Sequence, residues 1–197
     1  MHTASGDEPN ASGDGPCGPD SSDAERGLAR TANLFGALAL EAVHAMERAT
    51  HEIVGQAGAA AAALVLIPAR PGWTIEQLRA PLGLSQPGAT RLVARLEEAG
   101  WVERMGPGGR RGVRMRLTAA GEEVFDRLLV ARRAALLALL EPLPEEERPQ
   151  LTDMLERLLA ARTHDRPTLE RLCRLCERRV CARCPVARAH ESSLTLG

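Results

Sequence analysis

Two Cys-x-x-Cys pairs, Cys173-Arg-Leu-Cys176 and Cys181-Ala-Arg-Cys184, lie four residues apart near the end of a 197-residue chain. Four thiolates so spaced are the usual ligand set of a closed structural zinc site, with sulfurs about 2.3 Å from the metal. Residue types alone do not select the metal. An iron-sulfur cluster is the alternative, since Cys184-Pro185 matches the end of ferredoxin-type runs although the spacing is not theirs. Thiol-disulfide switching and inert cysteines are the remaining readings. On one continuous helix Cys173, Cys176 and Cys184 share a face while Cys181 points elsewhere, so a common ligand requires a break around Glu177 to Val180. Arg171, Arg174, Arg178, Arg179 and Arg183 would offset the negative charge of a tetrathiolate site. The segment's large apolar residues are chiefly Leu172, Leu175, Val180 and Val186. They are too few to offset an ordering entropy of about 1 to 2 kcal/mol per residue, so metal is expected to drive the folding of this module.

A second set of side chains is suited to phosphate and base edges. All 25 cationic side chains are arginine, and the net charge of -1 conceals a segregation of sign. Residues 1–25 carry only acids: Asp7, Glu8, Asp14, Asp20, Asp23 and Glu25. Residues 70–116 carry nine arginines against four glutamates. A local basic field of this kind attracts a polyanion whatever the total charge.

The elements that must position these groups follow from periodicity and punctuation. Residues 1 to about 22, with Cys17, are rich in Gly, Ser, Pro and Asp and read as a disordered tail. A long amphipathic helix is expected from about Asp23 to Val54, then a second through the alanine run and Leu64-Val65-Leu66, ending at Pro68. Thr74 and Gln77 have the spacing of a capping box for a third helix to about Leu82, which Pro81 should end or kink early. Gly83 supplies a turn. Ser85 is a good N-cap for a fourth helix from Gln86 to Ala99, with Pro87 in its first turn and Gly100 closing it. Val113, Met115 and Leu117 alternate with Arg114 and Arg116 behind a Gly-Pro-Gly-Gly break, giving a two-stranded hairpin. Thr118 caps a fifth helix stopped by Pro142 and Pro144, and Leu151, Met154, Leu155, Leu158 and Leu159 form the stripe of a sixth. The fold class is α+β, predominantly α-helical.

On the fourth helix Ala89, Leu92, Val93 and Leu96 fall on one side, and Pro87, Thr90, Arg91, Ala94 and Arg95 on the other. A capped helix, a glycine turn and an Arg-bearing second helix can lay that second helix in a major groove about 12 Å wide. Gln86, Thr90 and Arg91 are placed to reach base edges, while Ser85, Arg95 and the helix N-terminus suit phosphate. Arg110 and Arg111 at the hairpin tip are placed to enter a minor groove, and Arg114 and Arg116 follow on one strand face.

At Leu84-Ser85-Gln86-Pro87, Arg91-Leu92-Val93, Arg95-Leu96-Glu97, Ala99-Gly100, Val102-Glu103-Arg104 and Leu117-Thr118-Ala119-Ala120-Gly121 the sequence resembles the MarR family of bacterial regulators, over about residues 25–163. The resemblance implies a winged helix-turn-helix with long dimerisation helices and an obligate homodimer whose first, fifth and sixth helices interdigitate. It also implies binding to double-stranded DNA at a palindromic operator, commonly for repression, and a pocket for a small-molecule effector. Residues 23–163 then form the winged-helix domain, with a DNA-binding lobe at about 59–118 and dimerisation helices at about 23–54 and 119–163. Residues 164–197 form the cysteine module. Because that module follows the sixth helix, its ordering is expected to act first on the dimer. Two positions depart from the family pattern: Gly109-Arg110-Arg111 lacks the Asp of the usual wing Asp-x-Arg, and Gly88 stands where Ala is common.

Other functions have less behind them. A thiol-disulfide oxidoreductase would set its Cys-x-x-Cys beside a βαβ pattern, which is missing, and a docking role for the basic C-terminal module has no distinctive motif. No nucleophile elbow, phosphate loop or paired-carboxylate motif appears, so an enzyme is not expected. No run of about 18 apolar residues or signal-peptide pattern is present, and a cytoplasmic protein that does not enter membranes is expected.

Overall fold

A computed structural model describes residues 23–55, 58–106, 113–181 and 184–189. The expected tail, Cys17 and the wing-tip residues Arg110 and Arg111 lie outside the described residues. The elements run α1 (Asp23–Val54), α2 (Ala59–Ala69), α3 (Ile75–Leu82), α4 (Gln86–Glu98), β1 (Val102–Met105), β2 (Arg114–Leu117), α5 (Ala119–Leu140), a 3-10 turn (Glu145–Glu147), α6 (Arg148–Ala160) and α7 (Arg166–Leu172). The chain divides into two compact units, Met1–Glu41 and Ala42–Gly197. The described part of the first is helix alone, and its Leu28, Leu34, Phe35, Leu38 and Leu40 are exposed.

The second unit contains the core. Helix α2 is apolar all round and buried from Ala60 to Ile67, as a helix with no polar face must be. Around it pack Leu78 of α3, Leu92, Val93 and Leu96 of α4, Val102, Met115 and Leu117 of the hairpin, and Val124 and Leu128 of α5. Each fully buried leucine contributes about 1.5 to 3 kcal/mol of transfer free energy. The hairpin is antiparallel, pairing Val102 with Leu117 and Met105 with Arg114. Its two-residue period buries Met115 and Leu117 and turns Arg114 and Arg116 outward.

Two prolines are accommodated inside helices. Pro68 is inside α2, which reaches Ala69. Pro81 does not end α3 early: the helix continues to Leu82 with Pro81 buried. The proline removes one donor, but the turn closes beyond it, where the Gly83 N–H donates to the Ala80 carbonyl (3.1 Å) and the Leu84 N–H to the Arg79 carbonyl (3.2 Å). Helix α6 has no buried residue, and its Met154, Leu155, Leu158 and Leu159 are exposed. Among the described residues no single helix is long and apolar enough to cross a membrane.

Candidate nucleic-acid interface

Helix α4 is positioned from its N-terminal side. At its start, the Ser85 Oγ accepts the Gly88 N–H (3.3 Å), which leaves the Ser85 hydroxyl proton free for an outside acceptor. Gly88 keeps this cap open, because a Cβ there would sit 3.2 Å from the Ser85 Oγ. Upstream, the capping box of α3 is complete: the Thr74 Oγ1 accepts the Gln77 N–H (3.3 Å) and the Gln77 Oε1 accepts the Thr74 N–H (3.0 Å). Between the helices Gly83 has φ +65°, the left-handed conformation that lets α4 leave at once.

The buried face of α4 is Ala89, Leu92, Val93 and Leu96, as its periodicity requires. Ser85, Gln86, Pro87, Thr90, Arg91 and Arg95 are all exposed. Thr90 donates its hydroxyl to the Gln86 carbonyl (3.0 Å), so outward it offers a methyl group and an acceptor rather than a donor.

Ion pairing sorts the basic residues in a way that spacing could not reveal. Arg79 pairs with Glu76, Arg104 with Glu97 (2.7 Å) and Arg116 with Glu103. Hydrogen bonding with Arg79 holds the Glu76 carboxyl below, and the Arg79 guanidinium above, their ordinary pKa values. Among the described residues no carboxylate pairs with Arg91, Arg95 or Arg114. Among the described residues, the exposed and unneutralised positive charge of the lobe is therefore on the outer face of α4 and at the outer end of β2. One backbone relationship was also missed by sequence reasoning. Thr74 and Arg114 form an antiparallel bridge, which ties the wing to the residue capping α3.

The four cysteines follow α7. Asp165 caps that helix, its Oδ1 accepting the Thr168 N–H (2.8 Å), and this hydrogen bonding holds its carboxyl below the ordinary range. The signature Asp165-Arg166-Pro167 could have identified the helix from sequence. Helix α7 ends at Leu172, the Cys176 N–H donates back to the Cys173 carbonyl (3.1 Å), and the expected reversal follows with Val180 bonded to Glu177 (3.3 Å). Cys173, Cys176 and Cys184 are half-buried and Cys181 is exposed. Cys176 is pulled down to about 6, chiefly because the Cys173 thiol donates toward it and secondarily by the charges of Arg132 and Arg178, against the effect of burial. The same interaction with Cys176, then burial, pushes Cys173 up. Burial, then Cys184, raises Cys181 to about 11. The thiols thus neighbour one another in pairs. Among the described residues, no three or more His, Cys, Asp or Glu side chains converge as a group that could hold a metal ion.

This module is fastened to the rest of its unit. Helix α7 packs on α3, and Leu175 packs on the core. Arg133 of α5 pairs with Glu177 (3.1 Å), and Arg178 donates to the Ala69 carbonyl at the end of α2 (3.5 Å).

Residues 57–112, which include α2, α3, α4 and β1, match the family model described as the MarR family. No curated protein matches the chain in sequence. Similar solved structures include a MarR-family transcriptional regulator from Silicibacter pomeroyi, 26% identical, covering 72% of this chain and 96% of its own with a TM-score of 0.53. A MarR family protein from Bacillus stearothermophilus is 25% identical, covering 68% and 94% with a TM-score of 0.56. Wild-type MarR from E. coli is also 25% identical, covering 63% and 96% with a TM-score of 0.53. Sequence and backbone agree over the same capped helix pair and wing: residues 57–112 are similar to the MarR family, and the chain has the winged helix-turn-helix fold of these transcriptional regulators.

Proposed function

We propose that the protein acts in the cytoplasm as a homodimeric repressor that places α4 of each subunit in successive major grooves of a palindromic operator. The observation carrying this reading is the carboxylate-free set Arg91, Arg95 and Arg114 on the exposed side of a capped, glycine-hinged helix and its wing. Gln86, Thr90 and Arg91 read base edges. Ser85, Pro87 and Arg95 lie against the sugar-phosphate backbone, and Arg114 leads toward the wing tip, where Arg110 and Arg111 extend the contact.

A second copy is the occupant for the apolar stripe of α6. Met154, Leu155, Leu158 and Leu159 are between 38% and 54% exposed in the isolated chain. Soluble monomers seldom leave such continuous apolar surface to water, and family resemblance supplies the partner. The cavity of about 320 Å³ between Met46, Thr50, Ala62, Leu82 and Arg174 has the size for a small-molecule effector.

The test is a titration of DNA selected from genomic fragments, read by fluorescence anisotropy across a salt series, with sedimentation of the same sample. A steep fall in affinity with salt and a dimeric mass support the proposal. Salt-insensitive binding, or a monomer bound at a single half-site, overturns it. Leu158→Glu should weaken the dimer by at least tenfold, equivalent to about 1.4 kcal/mol, while leaving helix content unchanged.

A further inference from the structure

We propose that Cys173, Cys176, Cys181 and Cys184 are the ligands of one zinc-class divalent cation, and that the loaded site clamps α7 against α3. The arrangement of the chain is the first argument. Each Cys-x-x-Cys is separated from the other by a four-residue reversal, and the first pair already closes a backbone turn from Cys176 to Cys173. The second pair likewise begins on a turn, where the Cys181 N–H donates to the Arg178 carbonyl (3.3 Å), so the reversal returns the second pair toward the first. A thiophilic cation would draw these pairs to a common point, since thiolates repel one another unless a positive ion lies between them.

The surroundings supply the second argument. The buried Nε groups of Arg70 and Arg132 have no hydrogen-bond partner among the described residues. Buried donors are normally satisfied, and a charged donor left alone is the costliest kind. Each is next in sequence to a residue that fastens the cysteine segment: Ala69, whose carbonyl accepts from Arg178, and Arg133, which pairs with Glu177. Four thiolates around a dication carry a net charge of about -2, and their sulfurs accept N–H donors. The guanidinium groups are thus placed for an anionic cluster and are poorly served by neutral thiols.

Location gives the site its consequence. The residues between the first two ligands, Arg174 and Leu175, line the same cavity as Leu82 and Gly83, the end of α3 and the turn into α4. Metal at the cysteines therefore fixes the wall on which the turn before the reading helix rests. Metal loading is independent of the DNA-reading role of α4, whereas the effect on affinity depends on it.

The experiment uses the full chain purified anaerobically, with elemental analysis, replacement of the native metal by cobalt(II), and amide exchange with and without a chelator. One zinc per chain, sulfur-to-cobalt charge-transfer bands with tetrahedral d–d absorption, and loss of these bands in Cys181→Ser are expected. Cys181 is chosen because it is exposed, so serine there leaves the packing intact, which circular dichroism verifies. Removing zinc should speed exchange of the α3 and α7 amides on the order of tenfold and weaken operator binding. A metal-free protein with four titratable thiols, a Cys173–Cys176 disulfide, or iron with labile sulfide overturns the proposal. So does zinc retained by the Cys181→Ser/Cys184→Ser double variant. A loaded, protected site in a chain that binds no DNA in any form leaves the metal centre standing and overturns the role assigned to α4.

Discussion

Gly121 lies against Trp101 so closely that a Cβ on the glycine would stand 2.0 Å from the tryptophan carbonyl oxygen. The contact is made where the wing enters and α5 begins. Thr118, which caps α5, donates its hydroxyl to the Gly100 carbonyl (2.6 Å) and its N–H to Trp101 (3.0 Å). The end of the reading helix, the base of the wing and the start of α5 meet at this glycine. Gly121→Ala must push backbone from backbone, and we expect a loss of about 2 to 4 kcal/mol by chemical denaturation. Gly27→Ala, with nothing within 4 Å of the new methyl, is the control and should be neutral or stabilising. Equal stability of the two variants would show that the contact relaxes freely.

Arg91→Ala should relax the preference at one operator base pair by about 1 to 3 kcal/mol, as expected for a guanidinium paired with guanine. Binding measured on operator variants and on random DNA checks this. An equal loss on both would restrict Arg91 to phosphate.

Arg114 and Arg116 are two residues apart on the same strand face, but only Arg116 has a carboxylate, that of Glu103. Arg114→Ala is therefore expected to lower the slope of log affinity against log salt by about one unit, and Arg116→Ala by much less. Identical slopes for the two variants would mean that the ion pair opens on binding.

The Asp165 cap makes α7 sensitive to acid. Its folded pKa is depressed, chiefly by hydrogen bonding to Thr168. Its contribution is therefore present above the unfolded carboxylate value, about 3.9, and is lost as pH falls through the lower folded value. Amide exchange in α7, corrected for intrinsic rates, should accelerate below about pH 4. Asp165→Ala should show the faster exchange at neutral pH and lose the acid step. A step retained in the variant would assign it to another group.

Much of this fold was legible because its punctuation is local. Thr74, Ser85 and Thr118 each cap the helix that their side chains announce, and the α4 stripe gives its buried face directly. The misreadings arise where distant segments decide the outcome. Pro81 breaks a local rule, yet the turn beyond it supplies replacement bonds. The division of arginines into paired and unpaired depends on which glutamates fold beside them, as Glu97 does beside Arg104. Helix α7 had its cap and proline in the sequence. Its seat on α3 did not, because a short segment beyond α6 can return to either lobe. The expectation that the cysteine module acts first on the dimer rested on chain order; chain order could not give the packing of α7 on α3.

The bridge between Thr74 and Arg114 separates two properties of the recognition surface. With the return strand anchored to the residue that caps α3, the position of β2 is set by α3 as well as by its partner strand. Under the proposed mode of binding, changes in the hairpin would alter the wing's contact with the duplex while the bases met by α4 stay the same. On that proposal, the length of DNA covered and the sequence read would be separable by substitution.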